Sequence, residues 1–229
     1  LAKAGGTYWN GTTFADPGGG APAEFTPGNF ASAGSPPVFT WSTTTLAGPA
    51  LLDGVKYTVI AHAKDAAGND QGDGIDETLM TKFTILYDTQ PPTAFLIQPS
   101  SGEVYLNLGS IVGTARDFHG NATDSDLFKV AVQIRYQESA ICWSNANAQF
   151  NVACSSFNAA SGLDSWTYAQ ASLTNQVTSG KTYVITAEAV DKAGNTQSSY
   201  GVPASSRTIR IDKNPPLSAF TKPLAQQSY

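Results

Sequence analysis

From Tyr183 to Ala189 every second residue is apolar or small: Tyr183, Ile185, Ala187 and Ala189 alternate with Val184, Thr186 and Glu188. A period of two describes a strand with one buried face. The strand runs into Asp191-Lys192-Ala193-Gly194-Asn195. Asp and Asn there can bond their own backbone, and Gly accepts a positive φ, so this stretch reads as a turn. The same phrase occurs earlier, as Val55–Asn69. Tyr57 matches Tyr183, Val59 matches Ile185, Ala61 matches Ala187, Asp65 matches Asp191, and Ala67-Gly68-Asn69 matches Ala193-Gly194-Asn195. A strand that ends in a fixed turn and is written twice predicts a repeated all-β module.

A second repeated phrase sets the period. Asp88-Thr89-Gln90-Pro91-Pro92 and Asp212-Lys213-Asn214-Pro215-Pro216 each precede a short apolar run and a further Pro, and the two Asp lie 124 positions apart. Residues 88–211 therefore hold one complete unit. Its alternating runs predict strands at Thr93–Gln98, Ser110–Arg116, Leu127–Gln137, Cys142–Phe150, Ser165–Leu173, Lys181–Asp191 and Arg207–Ile211. Seven strands in a unit of this size suit a two-sheet β-sandwich. Residues 1–87 match only the later part of a unit, and residues 212–229 match the opening strand of a following one. A partial sandwich exposes unpaired edges. The expectation is thus a window on a longer tandem array. Strand donation between head-to-tail copies is the rival, disfavoured because the tail is read as offering one strand where more than one is missing.

Composition narrows the function. Only 14% of residues are charged and the formal net charge is −5, which argues against nucleic acid as a partner, since that requires a basic surface. No apolar run approaches the roughly 20 residues of a membrane helix. The two Cys, Cys142 and Cys154, lie in one loop region, and such a close pair in a strand-rich chain suggests a disulfide and an oxidising compartment.

No catalytic constellation is legible, and an enzyme is not expected. His62 sits on the face of its strand opposite Tyr57 and Val59, where the second unit has Glu188. That exchange suits an exposed strand residue better than a site residue, and His119 reads as a turn residue. Oxygen ligands for a hard cation are better represented. Asp65, Asp70, Asp73, Asp76 and Glu77 crowd the loop after the first repeated strand. The linker residue Asp88, with Asp212, Asp117, Asp124 and Asp126, forms a second acidic group. Calcium is the cofactor these two groups bring into question. Of the four Trp, Trp9 matches Trp143 and Trp41 matches Trp166. Recurrence at fixed strand positions is what core packing demands. The alternative is a carbohydrate-binding surface using Tyr8, Trp9 and Trp143 beside the variable loop between the Trp residues. Asn10-Gly11-Thr12 and Asn121-Ala122-Thr123 fit the short acceptor pattern for Asn-linked sugar, which arises often by chance.

Tyr183 to Asn195, the linker Asp88–Pro92 and Gly113-Thr114-Ala115-Arg116-Asp117 resemble bacterial Ig-like repeat domains, the modules strung along large cell-surface and adhesin-type proteins. The resemblance spans essentially the whole chain. It implies tandem Greek-key sandwiches in an extracellular stalk or fibre that spaces and adheres, with calcium at module junctions. The partners it implies are neighbouring modules or head-to-tail copies, with glycans or proteins of another surface beyond them.

Overall fold

A computed structural model describes residues 2–3, 7–10, 12–16, 29–33, 38–42, 51–61, 63–69, 71, 81–118, 126–155 and 157–219. The chain forms two units, the first ending at Gln90 and the second beginning at Pro91. Among the described residues, apart from one short helix, the assigned secondary structure is β throughout.

In the first unit, β1 (Ala2–Lys3), β2 (Thr7–Trp9), β3 (Phe14–Ala15), β6 (Val55–Ala61) and β7 (Thr81–Tyr87) form one antiparallel sheet in the order β3-β2-β1-β6-β7. β4 (Asn29–Ala33) and β5 (Val38–Ser42) form a separate two-stranded sheet. Tyr57 and Trp9 are buried, and the rings Trp9, Phe14 and Tyr57 stand in series at centroid distances of 5.4 and 5.3 Å.

The second unit is a sandwich. One sheet orders β15 (Ser161–Gly162), β16 (Ser165–Ala169), β10 (Ser110–Arg116) and β8 (Thr93–Gln98). The other orders β13 (Gln149–Ala153), β12 (Ile141–Ser144), β11 (Leu127–Tyr136), β17 (Thr182–Asp191), β18 (Ser206–Ile211) and β9 (Val104–Tyr105), with β14 (Asn158–Ala159) also pairing β11. Ala94, Leu96, Ile111, Ala115, Trp166 and Tyr168 of the first sheet share one core with Val130, Val132, Ile134, Tyr183, Ile185, Ala187 and Ile209 of the second. The alternation read in the repeated strand is what buries it: Tyr183, Ile185, Ala187, Ala189 and Asp191 all point inward. Trp143, Phe150 and Tyr183 repeat the aromatic series of the first unit, at 5.5 Å for each contact.

Gly113 is fixed by close approach. A Cβ there would lie 2.0 Å from the Phe95 carbonyl oxygen and 2.3 Å from the Trp166 ring, so only Gly lets β8, β10 and the indole meet.

The sequence reading needs three corrections. Cys142–Phe150 is not one strand but the hairpin β12–β13, turning through Asn145–Ala148, with Ala148 at φ 51°. Ser165–Leu173 ends as a strand at Ala169 and continues as a helix, α1 (Ala171–Gln176), which buries Leu173. The short strands β14 and β15 were not expected, nor was β9. It lies parallel to the end of β18, with Val104 opposite Arg210 and Tyr105 opposite Ile211.

Candidate functional sites at the strand ends

The repeated turn has the same geometry in both units. Asn195 donates its backbone N–H to Asp191 Oδ1 at 2.8 Å and its amide Nδ2 to Asp191 Oδ2 at 2.9 Å. Asn69 does the same to Asp65, at 2.8 and 2.7 Å. Gly194 and Gly68, at φ 96° and 93°, supply the left-handed step. The Asn69 amide, then its backbone N–H, hold the Asp65 carboxyl below the usual carboxylate range. Asp65 is exposed, and its described bonds are those of a turn. Asp70, Asp73, Asp76 and Glu77, the other members of that acidic loop, lie outside the described residues, as do His62, His119 and Asp124.

Asp191 differs from Asp65 in its surroundings. It is 1% exposed, and Asp117, at the end of β10, is 6% exposed. Each carboxylate offers an oxygen within 4.8 Å of the other. Two ionised carboxylates this close would repel each other. Their donor set, hard anionic oxygen, fits a hard cation such as calcium. Asp117 was singled out by the sequence, whereas Asp191 was read only as a turn residue. The missed signal was parity: Asp191 shares the face of Tyr183, Ile185, Ala187 and Ala189. Nearby, Lys192 donates its backbone N–H to the Asp126 carbonyl at 2.8 Å and its Nζ to Asp126 Oδ1 at 3.1 Å.

The linkers repeat as well. Asp88, in the first unit, accepts the N–H of Gln90 at 2.9 Å. Asp212 accepts that of Asn214 at 2.9 Å. Each Asp thus ties the chain into an Asx turn just before Pro-Pro.

Cys142 and Cys154 are bridged, with Cα atoms 5.1 Å apart, inside the usual range. The bridge closes the β12–β13 hairpin at its open end. Beside it lies an open depression lined by Gln133, Arg135, Gln137, Glu138, Ser139, Ala140 and Cys154.

Trp9 and Trp143 pack as core residues. Both are buried in the aromatic series, and the Trp143 indole N–H is spent on Asn145 Oδ1 at 2.9 Å. A stacking platform needs an open ring face, which these positions do not provide. Tyr8 is half-buried beside Trp9 in β2.

The sequence matches no protein-family model and no curated protein. Among the described residues, no helix is long and apolar enough to cross a membrane.

Proposed function

We propose that the chain is a stretch of an extracellular stalk or fibre built from tandem Ig-like modules, with a spacing and adhesive role and no catalytic one. The observation that carries this is the strand order of the second unit. β8-β10-β16-β15 against β11-β17-β18 follows the order A-B-E-D against C-F-G of the immunoglobulin sandwich. A buried Tyr near the start of the F-type strand, bonded to backbone a few residues upstream, belongs to the same pattern, and Tyr183 fits it. The first unit's order β3-β2-β1-β6-β7 parallels β13-β12-β11-β17-β18. This supports the reading that one module recurs along the chain.

The role follows from the linkers. Pro-Pro after each Asx turn fixes φ and removes two backbone donors, which limits bending between modules. The disulfide supports an oxidising, extracellular setting. Calcium at the strand ends would stiffen the module further. Asp117 and Asp191 are the residues that would hold it in the second unit, where its charge would offset two buried carboxylates.

Antibodies raised against residues 88–211 test the reading. They should label intact, unpermeabilised cells of the source organism. Label that appears only after lysis would contradict an extracellular stalk.

A further inference from the structure

We infer that the outer face of the second unit's larger sheet, beside the Cys142–Cys154 bridge, is a binding site for a neutral glycan. The inference rests on the adhesive part of the reading above and names the class of partner and the residues that would meet it.

Strand parity defines the face. In β11, Val132 and Ile134 point into the core, so Gln133 and Arg135 point out of it. In β17 the same alternation turns Thr186 and Glu188 outward. Pairing sets Gln133 opposite Thr186 and Ala131 opposite Glu188. Two features stand on this face. One is the open depression floored by Gln133 and Arg135, with Gln137, Glu138 and Ser139 on one side and Cys154 on the other. Its volume, about 580 Å³, lies within the range of small-molecule sites. The other is the half-buried ring pair Phe157 and Tyr200, stacked at a centroid distance of 6.0 Å with 28° between the planes. The Tyr200 hydroxyl donates to Glu188 Oε2 at 2.8 Å, which places the pair over the same face.

The fold does not require these groups. Lys3 pairs with Tyr57 as Tyr136 pairs with Tyr183, so Ala2 of the first unit stands where the second has Arg135. Ala2 pairs with Tyr8, and Arg135 pairs with Cys142. The first unit thus builds the same sheet with neither the guanidinium nor the bridge. In the second, the bridge ties the chain after β13 back to β12 and holds one wall of the depression in place. Polar side chains that one module carries and its neighbour lacks are placed for contact rather than for folding.

The chemistry of the lining selects the ligand. Arg135 donates Nη1 to the carbonyl oxygens of Tyr136 and Gln137, each at 3.3 Å. Among the described residues it makes no ion pair, and its Nη2 and Nε remain available. Gln133 donates Nε2 to the Cys154 carbonyl at 3.3 Å, which leaves its Oε1 as an acceptor. The exposed Glu138 carboxylate balances the Arg135 charge. One cation, one anion and two primary amides favour a ligand without net charge. They set donors and acceptors side by side, as neighbouring sugar hydroxyls require, since each hydroxyl both donates and accepts. The Phe157–Tyr200 pair adds an apolar surface for the C–H face of a sugar ring. An extended peptide would instead seek an unpaired sheet edge, and β11 and β17 each have a partner strand on both sides.

Affinity electrophoresis of the 229-residue chain, through gels containing a soluble β-glucan, α-glucan, mannan, galactan or xylan, tests the proposal. At least one should retard the chain, and the retardation should persist in about 0.5 M salt, where ionic contacts are screened. Arg135→Ala, which copies the first unit, should weaken binding about tenfold. Gln137→Ala, at an exposed position where it cannot unfold the module, should weaken it in the same direction. Thr167→Ala, exposed on the opposite sheet, should leave it unchanged. Retardation by none of the five, retention only by alginate or polyglutamate and lost in salt, or binding undiminished in both site variants overturns the neutral-glycan site. Circular dichroism melts of the same samples report the modules themselves. No binding with an intact melt therefore removes the glycan site and leaves the stalk reading standing, which fails separately on antibody labelling of intact cells.

Discussion

Thr178 donates its backbone N–H to the hydroxyl oxygen of Tyr183 at 2.8 Å, pinning the turn before β17 to the core residue that begins its buried face. Leu52 and Tyr57 repeat the bond at 2.7 Å in the first unit. Both rings are fully buried, so each hydroxyl joins a loop to the floor of a sheet. Tyr183→Phe leaves a part-buried N–H without its acceptor and should cost about 1–3 kcal/mol. The lower melting temperature should appear in the transition of the second unit and not of the first. Equal loss in both units would contradict a local tie.

Burial pushes the phenols of Tyr183 and Tyr168 up to about 12. Tyr200 reaches about 12 through burial and then its bond to Glu188. A folded pKa above the unfolded value near 10 favours the fold fully below pH 10 and is lost as pH rises toward 12. Absorbance titration should therefore show a set of tyrosines resisting ionisation at pH 10 to 11, released together with unfolding. Simple titration of all tyrosines near pH 10 in the folded protein would count against it.

Asp65 gives the opposite sign. Its carboxyl is held below the ordinary value by Asn69, so its contribution is present above about pH 4 and fades as pH falls through the lower, folded value. Nuclear magnetic resonance titration of the side chain should find it ionised below the midpoint of an unstructured Asp. Asn69→Ala should bring the midpoint back.

Reduction of the Cys142–Cys154 bridge should lower stability by up to about 3 kcal/mol, because the closed loop restricts the unfolded chain. Thiol labelling of the denatured, unreduced protein should find no reactive Cys. Two labelled thiols would contradict the bridge.

Calcium in the millimolar range should raise the melting temperature of the second unit, since a ligand that binds only the folded state adds RT ln(1 + [L]/Kd). Asp117→Asn should remove that response while leaving the Asp191–Asn195 turn in place. An unchanged melt across that range would reject the cation.

Much of this architecture was legible because a strand with one face in a core must alternate, and Tyr183–Asp191 alternates without a break. The missed parts have physical reasons. The β12–β13 turn carries neither Gly nor Pro, and Ala148 takes its positive φ without a sequence signal. Helix α1, six residues long with one buried side chain, is too short to show a 3.6-residue period. β9 is two residues held by register against β18, and its alternation is unreadable at that length. Gly113 looked like part of a family phrase. Its contact with Trp166 and Phe95 shows a packing demand, and Gly113→Ala should cost about 1–3 kcal/mol. The candidate cation site was half legible: Asp117 was read directly, whereas Asp191 needed the parity of its strand to be taken seriously as a buried charge.

Electron microscopy of the native protein released from its cells, decorated with antibody against residues 88–211, tests the central claim most directly. The account predicts a line of similar modules, with label at a module position along it. A single compact particle bearing one label, with no module on either side, would contradict it.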